Sequence, residues 1–233
     1  MFPFTHKPAT LLGVSNSERQ EAIEHLVEAT ALRHGYYLLL TLSVIIVTLG
    51  LLIDNTPIVI GGMVIAPVLT PILLLAVGIA SHSVRAISHA SIVLLTSMII
   101  VLSLSLLLTW IVAYATPVTP VIPEQTNPIM YFVIAFCSGI VAGFAWVKKD
   151  LAATISGIAI AVSLLPPLCI TGIGLAVGND EVALRSMTVF MTNVFGILFA
   201  AVLTFVLLGF MRFTTVAEKT MKKEEKAEEA EAA

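Results

Sequence analysis

Charge is what this chain has least of. Asp, Glu, Lys and Arg make up 12% of its 233 residues against 58% hydrophobic ones, so a soluble fold would carry more apolar surface than it could hide. A net charge of −3 lacks the basic footprint that nucleic acid requires, and no nucleic-acid partner is expected. Cysteine is nearly absent. Cys137 and Cys169 both lie in apolar runs, where a thiol behaves as a small apolar residue, and they leave the redox compartment open. The opening residues MFPFTHKPAT lack the charged and apolar regions of a cleaved signal peptide, so insertion is expected to begin with the first span. No H-E-x-x-H, nucleophile elbow or mid-depth aspartate pair occurs, which predicts no enzyme, no metal site and no cofactor. No ionisable group falls at the expected mid-membrane depth either. That disfavours an aspartate proton relay and favours a neutral or anionic solute, or a facilitated pore.

Hydropathy is what the chain has in abundance. Apolar windows predict an all-α membrane protein of six spans, near 36–53, 57–80, 90–113, 129–147, 151–177 and 187–210. The stretch TPVTPVIPEQTNP between the third and fourth spans is fixed as an extended connector by its prolines. The expected units are a cytoplasmic segment 1–35, a three-helix half 36–113, an extracytoplasmic connector 114–128, a second three-helix half 129–210 and a charged cytoplasmic tail 211–233. With the N-terminus inside, every Lys and Arg except Arg185 falls on the cytoplasmic side, which puts both termini in the cytoplasm of a multi-pass cell-membrane protein.

Three spans per half force the second half to enter with the opposite orientation. A shift of 96 residues superposes Asp54 on Asp150, Gly61 on Gly157, Pro71 on Pro167, Gly78 on Gly174, and Thr96-Ser97 on Thr192-Asn193. The expectation is two inverted three-helix repeats.

Prolines interrupt the second and fifth spans, as Pro67 and Pro71 in GGMVIAPVLTPILLLAVGIA and as Pro166 and Pro167 in SGIAIAVSLLPPLCITGIG. Each removes a backbone donor and breaks the helix deep in the bilayer, and matched breaks in two halves point to a transporter-like site. Pro71 and Pro167 suit the first position of a new half-helix, whose N-terminus attracts anions, carbonyls or hydroxyls. The local hydroxyls are Thr70, Ser163 and Thr171. Kinks that merely shape packing are the competing reading. Thr192 and Asn193 either line a substrate path or bond between helices, and Ser97 reads as structural. Asp54 and Asp150 flank the broken helices as caps, with Thr56 a rival for the first, or as coupling groups.

Elsewhere, Ser15 to Arg33 reads as an amphipathic helix with a capping box at Ser17 and Gln20 and one face of Ile23, Leu26, Val27 and Thr30. Glu21 and His25 read as a solvated face, with a metal pair as the lesser alternative. His82, Arg85 and His89 read as headgroup contacts. Gly139 and Gly143 predict a close crossing, within the bundle or between subunits. The tail EKTMKKEEKAEEAEAA reads as a frayed helix or a disordered segment.

The segments GGMVIAPVLTPI and GIAIAVSLLPPL with the Thr-Asn pair of the last span resemble the family called domain of unknown function 389, hydrophobic proteins of bacteria and archaea. The resemblance covers about residues 36–210 and marks Gly61, Gly62, Pro67, Pro71, Ser163, Pro166, Pro167 and Asn193 as family-pattern positions. Thr70 departs from it, since relatives often carry glycine there. The expected function is a transporter or channel for a small solute or ion, sited where the broken helices meet, in a bilayer-embedded homo-oligomer. The alternative is a membrane scaffold or sensor signalling to a cytoplasmic partner.

Overall fold

A computed structural model describes residues 13–30, 34–115, 127–148 and 164–232. Among these the chain is helical. In chain order the helices are α1 (Asn16–Ala29), α2 (His34–Leu52), α3 (Thr56–Ile65), α4 (Leu69–Ser81), α5 (Val84–Ala115), α6 (Pro128–Val147), α7 (Leu165–Ala176), α8 (Asp180–Leu207) and α9 (Thr214–Ala232). α2, α5, α6 and α8 are long and apolar enough to cross a membrane, and α3 with α4, bent by 46° at their break, makes a fifth candidate. These are the lengths and compositions of a multi-pass membrane protein. The first part of the expected fifth span, 151–163, and most of the connector, 116–126, lie outside the described residues.

α4 packs on α5 and α8, and α7 packs on α8 and α5. Their surroundings repeat at the 96-residue spacing. α4 and α7 start at Leu69 and Leu165, and α5 and α8 at Val84 and Asp180. In the turn between, Ser83 N donates to Gly78 O at 2.9 Å and Asn179 N to Gly174 O at 2.8 Å. A Cβ on Gly78 would sit 3.0 Å from Ile87 N, and one on Gly174 would sit 2.8 Å from Ala183 N. Only glycine allows each short helix to lie so close against the long helix that follows it. Asn179 caps α8 by accepting from Val182 N, and Asp180 and Glu181 fill its first turn, which suits the positive end of a helix. For this reason α8 starts seven residues earlier than hydropathy predicts.

Gly139 and Gly143 face inward onto α8. A Cβ on Gly139 would lie 2.6 Å from Ile197 O and 2.8 Å from Ala200 Cβ. Of the two expected crossings, the one within the bundle is observed.

One end of the bundle is covered by α1 and α9. α1 buries Ala22, Ile23, Leu26 and Val27 and packs against α4, α6 and α9. Its capping box uses Ser15 and Glu18, which corrects the expected Ser17 and Gln20. Ser15 is the extended residue, so its Oγ accepts from Glu18 N at 3.2 Å while Ser15 N donates to the Glu18 carboxylate at 2.6 Å. Lys148, at the end of α6, reaches Glu18 at 3.0 Å, and Trp146 Nε1 donates to Ala22 O at 3.3 Å. His89 is buried, with Nε2 3.2 Å from Thr30 O, and Arg85 lies 3.4 Å from Glu218. The expected headgroup cluster is thus divided between packing and an ion pair. His25 and Glu21 form an exposed pair 3.8 Å apart, and no group of three metal-ligating side chains occurs among the described residues. The tail forms the helix α9 through Ala232, its Ala217 and Met221 buried.

Gly139→Val drives a branched side chain into the α8 backbone and is expected to cost about 1–3 kcal/mol, read as a lowered melting temperature in detergent. The Ser15 amide, helped by Lys148 and the Ser15 hydroxyl, holds the Glu18 carboxyl down at about 2 against its ordinary 4.5. The α1 contact is therefore complete above pH 4.5 and weakens as pH falls towards 2. Protease cleavage within α1, measured against pH, should rise in that window in the native chain and be independent of it in Glu18→Gln.

Candidate functional site

The starts of α4 and α7 meet. A cavity of about 20 Å³ is lined by Met63, Ala66, Val68 and Leu69 from the first break and by Leu164 and Leu165 from the second. The two helices leave it towards opposite ends of the bundle. Ser81, closing α4, accepts from Thr214 Oγ1 at the α1/α9 end, whereas α7 runs into the turn that starts α8 at the far end. At 1.5 Å per residue α4 is about 20 Å long and α7 about 18 Å, and end to end they nearly match the roughly 42 Å of α8. The cavity therefore lies near the middle of the bundle.

Pro67 makes the first break. The residue before a proline is pushed out of the helical region, and Ala66 takes φ −67°, ψ 123°. Pro71 is then the third residue of α4, and Pro166 and Pro167 are the second and third of α7. This corrects the expectation that Pro71 and Pro167 open their half-helices. The first turn tolerates proline at all these positions because its N–H groups have no intrahelical acceptor. These prolines also reduce the donors that each N-terminus can offer. α4 keeps the amides of Leu69 and Thr70, and α7 keeps that of Leu165.

The hydroxyls nearby are committed to backbone. Thr70 Oγ1 donates to Pro67 O at 2.8 Å and Thr171 Oγ1 to Pro167 O at 2.9 Å. The freed carbonyl at the first break is thus satisfied by a side chain, which is what glycine at position 70 could not do. Ser163 and Asp150 lie outside the described residues. Thr192 Oγ1 donates to Thr188 O at 2.8 Å. Asn193 is 2% exposed, thirteen residues into α8 and so near mid-length, but does not line the cavity. Its counterpart Ser97 bonds the Tyr36 hydroxyl at 2.8 Å, an α2–α5 contact that composition did not reveal. Asp54 sits in the α2–α3 turn with φ 52°, and Asn55 provides the cap by accepting from Ile58 N at 3.2 Å. Neither expected cap, Asp54 or Thr56, fills that role. Asp54 is about 15 Å along α3 from the break.

The site thus joins two breaks distant in sequence, with Val68 and Leu69 across the cavity from Leu164 and Leu165. Its lining side chains are apolar, and the polarity comes from two helix starts pointing at one spot. A cavity of this size has room for one water. Sequence reasoning passed over Met63, Ala66, Leu164 and Leu165, although Leu69 and Leu165 recur at the same spacing as the prolines.

A family model described as domain of unknown function 389 matches residues 63–199. An uncharacterized protein of Methanocaldococcus jannaschii is 26% identical over 171 residues, covering 72% of this chain and 52% of that protein. The chain spans about half the length of this curated relative. No solved structure matches the chain.

Thr70→Val removes the donor to the Pro67 carbonyl at nearly constant volume. It is expected to cost about 1 kcal/mol, seen as a lower melting temperature, while Thr70→Ser stays near the native value. Equal melting of both variants would remove the hydroxyl from any part in stabilising the break.

Proposed function

The chain belongs to the family called domain of unknown function 389, and from that premise we propose that it is a membrane transporter or channel for a small anion or neutral solute. The observation that carries the reading is the meeting of two half-helix starts at one mid-bundle cavity. Helix N-termini present partial positive charge and unpaired amides. Paired broken helices that meet at mid-depth are the arrangement transporters use to hold a solute between two rocking halves. At about 20 Å³ the cavity is a narrow waist, and passage requires the α4 and α7 starts to separate.

The six-span architecture belongs to this proposal. Two inverted repeats, residues 36–113 and 129–210, exchange their broken helices across a pseudo-two-fold axis. The reading is supported by the shared spacing of helix starts and turn bonds and by the opposite courses of α4 and α7. The α1/α9 end, with Arg19, Arg85, Lys148 and Arg212, is the cytoplasmic one. The far end carries Arg185, paired with Glu181. This distribution follows the positive-inside rule for a cell-membrane protein with both termini in the cytoplasm. The protein acts without enzymatic chemistry, and its outer apolar faces meet lipid or further copies of the chain.

A second reading is a scaffold or sensor in which α1 and α9 present a cytoplasmic surface. The exposed charges of Lys219, Lys222 and Lys223 on α9 favour it.

Solid-supported-membrane electrophysiology on reconstituted protein tests the proposal, using small anions, cations and neutral metabolites under a pH gradient, with isotope uptake for electroneutral cases. Native protein is expected to give a signal for at least one small anion or neutral solute. Pro71→Ala with Pro167→Ala should reduce it by about tenfold or more, since interactions at the site are worth about 1–2 kcal/mol. Folded native protein that gives neither current nor uptake would pass the function to the scaffold or sensor.

A further inference from the structure

Between α8 and α9 the chain turns through Gly209, with φ 83°, into one turn of 3-10 helix, Phe210–Arg212. The turn leaves a groove of about 480 Å³ lined by Asn16, Arg19, Gly209, Met211, Arg212 and Phe213, a volume in the range of small-molecule sites. One wall is cationic and partly fixed in place. Arg19 Nε donates to Leu208 O at 2.7 Å, Nη1 donates to Asn16 Oδ1 at 2.8 Å, and its guanidinium lies 5.7 Å from the Phe213 ring centre. Its Nη2 faces Gly209, 3.3 Å from where a Cβ would stand. Arg212 is exposed and makes no ion pair among the described residues. Arg85 and Lys148 at the same end are both matched by glutamates. The groove therefore gathers two guanidiniums with no carboxylate among the described residues that line it.

The other wall is apolar and continues into the membrane-facing surface. Met211 is exposed at the groove, and Leu207, Leu203, Phe199 and Phe195 are exposed at every fourth position along α8, forming a stripe that winds slowly down one side of the helix. We propose that the groove binds the headgroup phosphate of an anionic phospholipid, with the acyl chains lying along this stripe. Guanidinium forks match phosphate oxygens. The groove stands where the apolar helix ends, at the depth of headgroups, and a free phosphate would have no use for the stripe. Arg19 also holds the end of α8 and so serves the fold. Arg212 has no such duty, and it carries the test.

Full-length protein in non-ionic detergent is titrated with phosphatidylglycerol, phosphatidylcholine or glycerol phosphate, and bound lipid is counted by native mass spectrometry. Phosphatidylglycerol should bind at least about fivefold tighter than phosphatidylcholine, and Arg212→Gln should weaken it about fivefold, the effect of one basic side chain near an anionic lipid. Lys222→Gln, which removes the same charge from α9, should leave binding unchanged. The proposal is overturned by equal binding of the two lipids, by native affinity in Arg212→Gln, or by an equal loss in Lys222→Gln, which would mean diffuse surface attraction. It is overturned too if glycerol phosphate displaces the lipid at the lipid's own concentration, since the site would then be one for a soluble anion. None of these outcomes depends on whether the protein transports anything.

Discussion

Backbone polar groups in hydrocarbon have nowhere to turn but to the protein itself, and this constraint organises the whole molecule. A continuous helix meets it automatically. A broken one must find other partners for each freed N–H and C=O, and the prolines here do half of that work by lacking the N–H. With Pro71 in the first turn of α4 and Pro166 and Pro167 in that of α7, several donors that would need acceptors do not exist. Thr70 supplies the other half at the first break by donating to Pro67 O. What remains is a small number of amides at two adjacent helix starts. The same economy that makes the breaks tolerable also leaves the site sparse in donors.

Holding the two breaks together is a matter of close packing. Small residues let α4 lie against α5 and α7 against α8, and the glycines at 78 and 174 mark the tightest approach in each pair. α6 is drawn onto α8 by the same device at Gly139 and Gly143. In lipid there is little hydrophobic gain in bringing apolar helices together, so contact at backbone distance is what binds them. This uses the faces of Gly78, Gly139, Gly143 and Gly174 inside one chain.

The polar end is tied by another kind of bond. α1 is anchored to the ends of α6 and α8 through Trp146, Lys148 and the Leu208 carbonyl, while α9 touches α4 and α5 through Thr214 and Glu218. These links tie α1 and α9 to α4, α5, α6 and the end of α8 at the end of the bundle towards which α4 runs. At the far end a three-residue turn, Val177 to Asn179, precedes α8, which Asn179 caps.

Composition alone determined that the chain lives in a membrane, because 58% hydrophobic residues cannot be buried in a protein of this size. The prolines determined where helices break, since a missing N–H acts locally. The 96-residue spacing predicted the matching starts of α4 and α7, and the face of Ile23, Leu26 and Val27 predicted what α1 buries. Local rules misplaced what depends on backbone torsion. Ser15 rather than Ser17 caps α1, and Asn55 rather than Asp54 caps α3, because capping follows the residue that is extended and not the residue type. Only the tertiary structure decided that Val68 and Leu69 stand beside Leu164 and Leu165, that Asn193 lies near the level of the cavity without lining it, and that Arg19 and Arg212 share a groove. Those are meetings of distant segments, fixed by how closely whole helices approach, and a single run of residues carries no record of its neighbours in space.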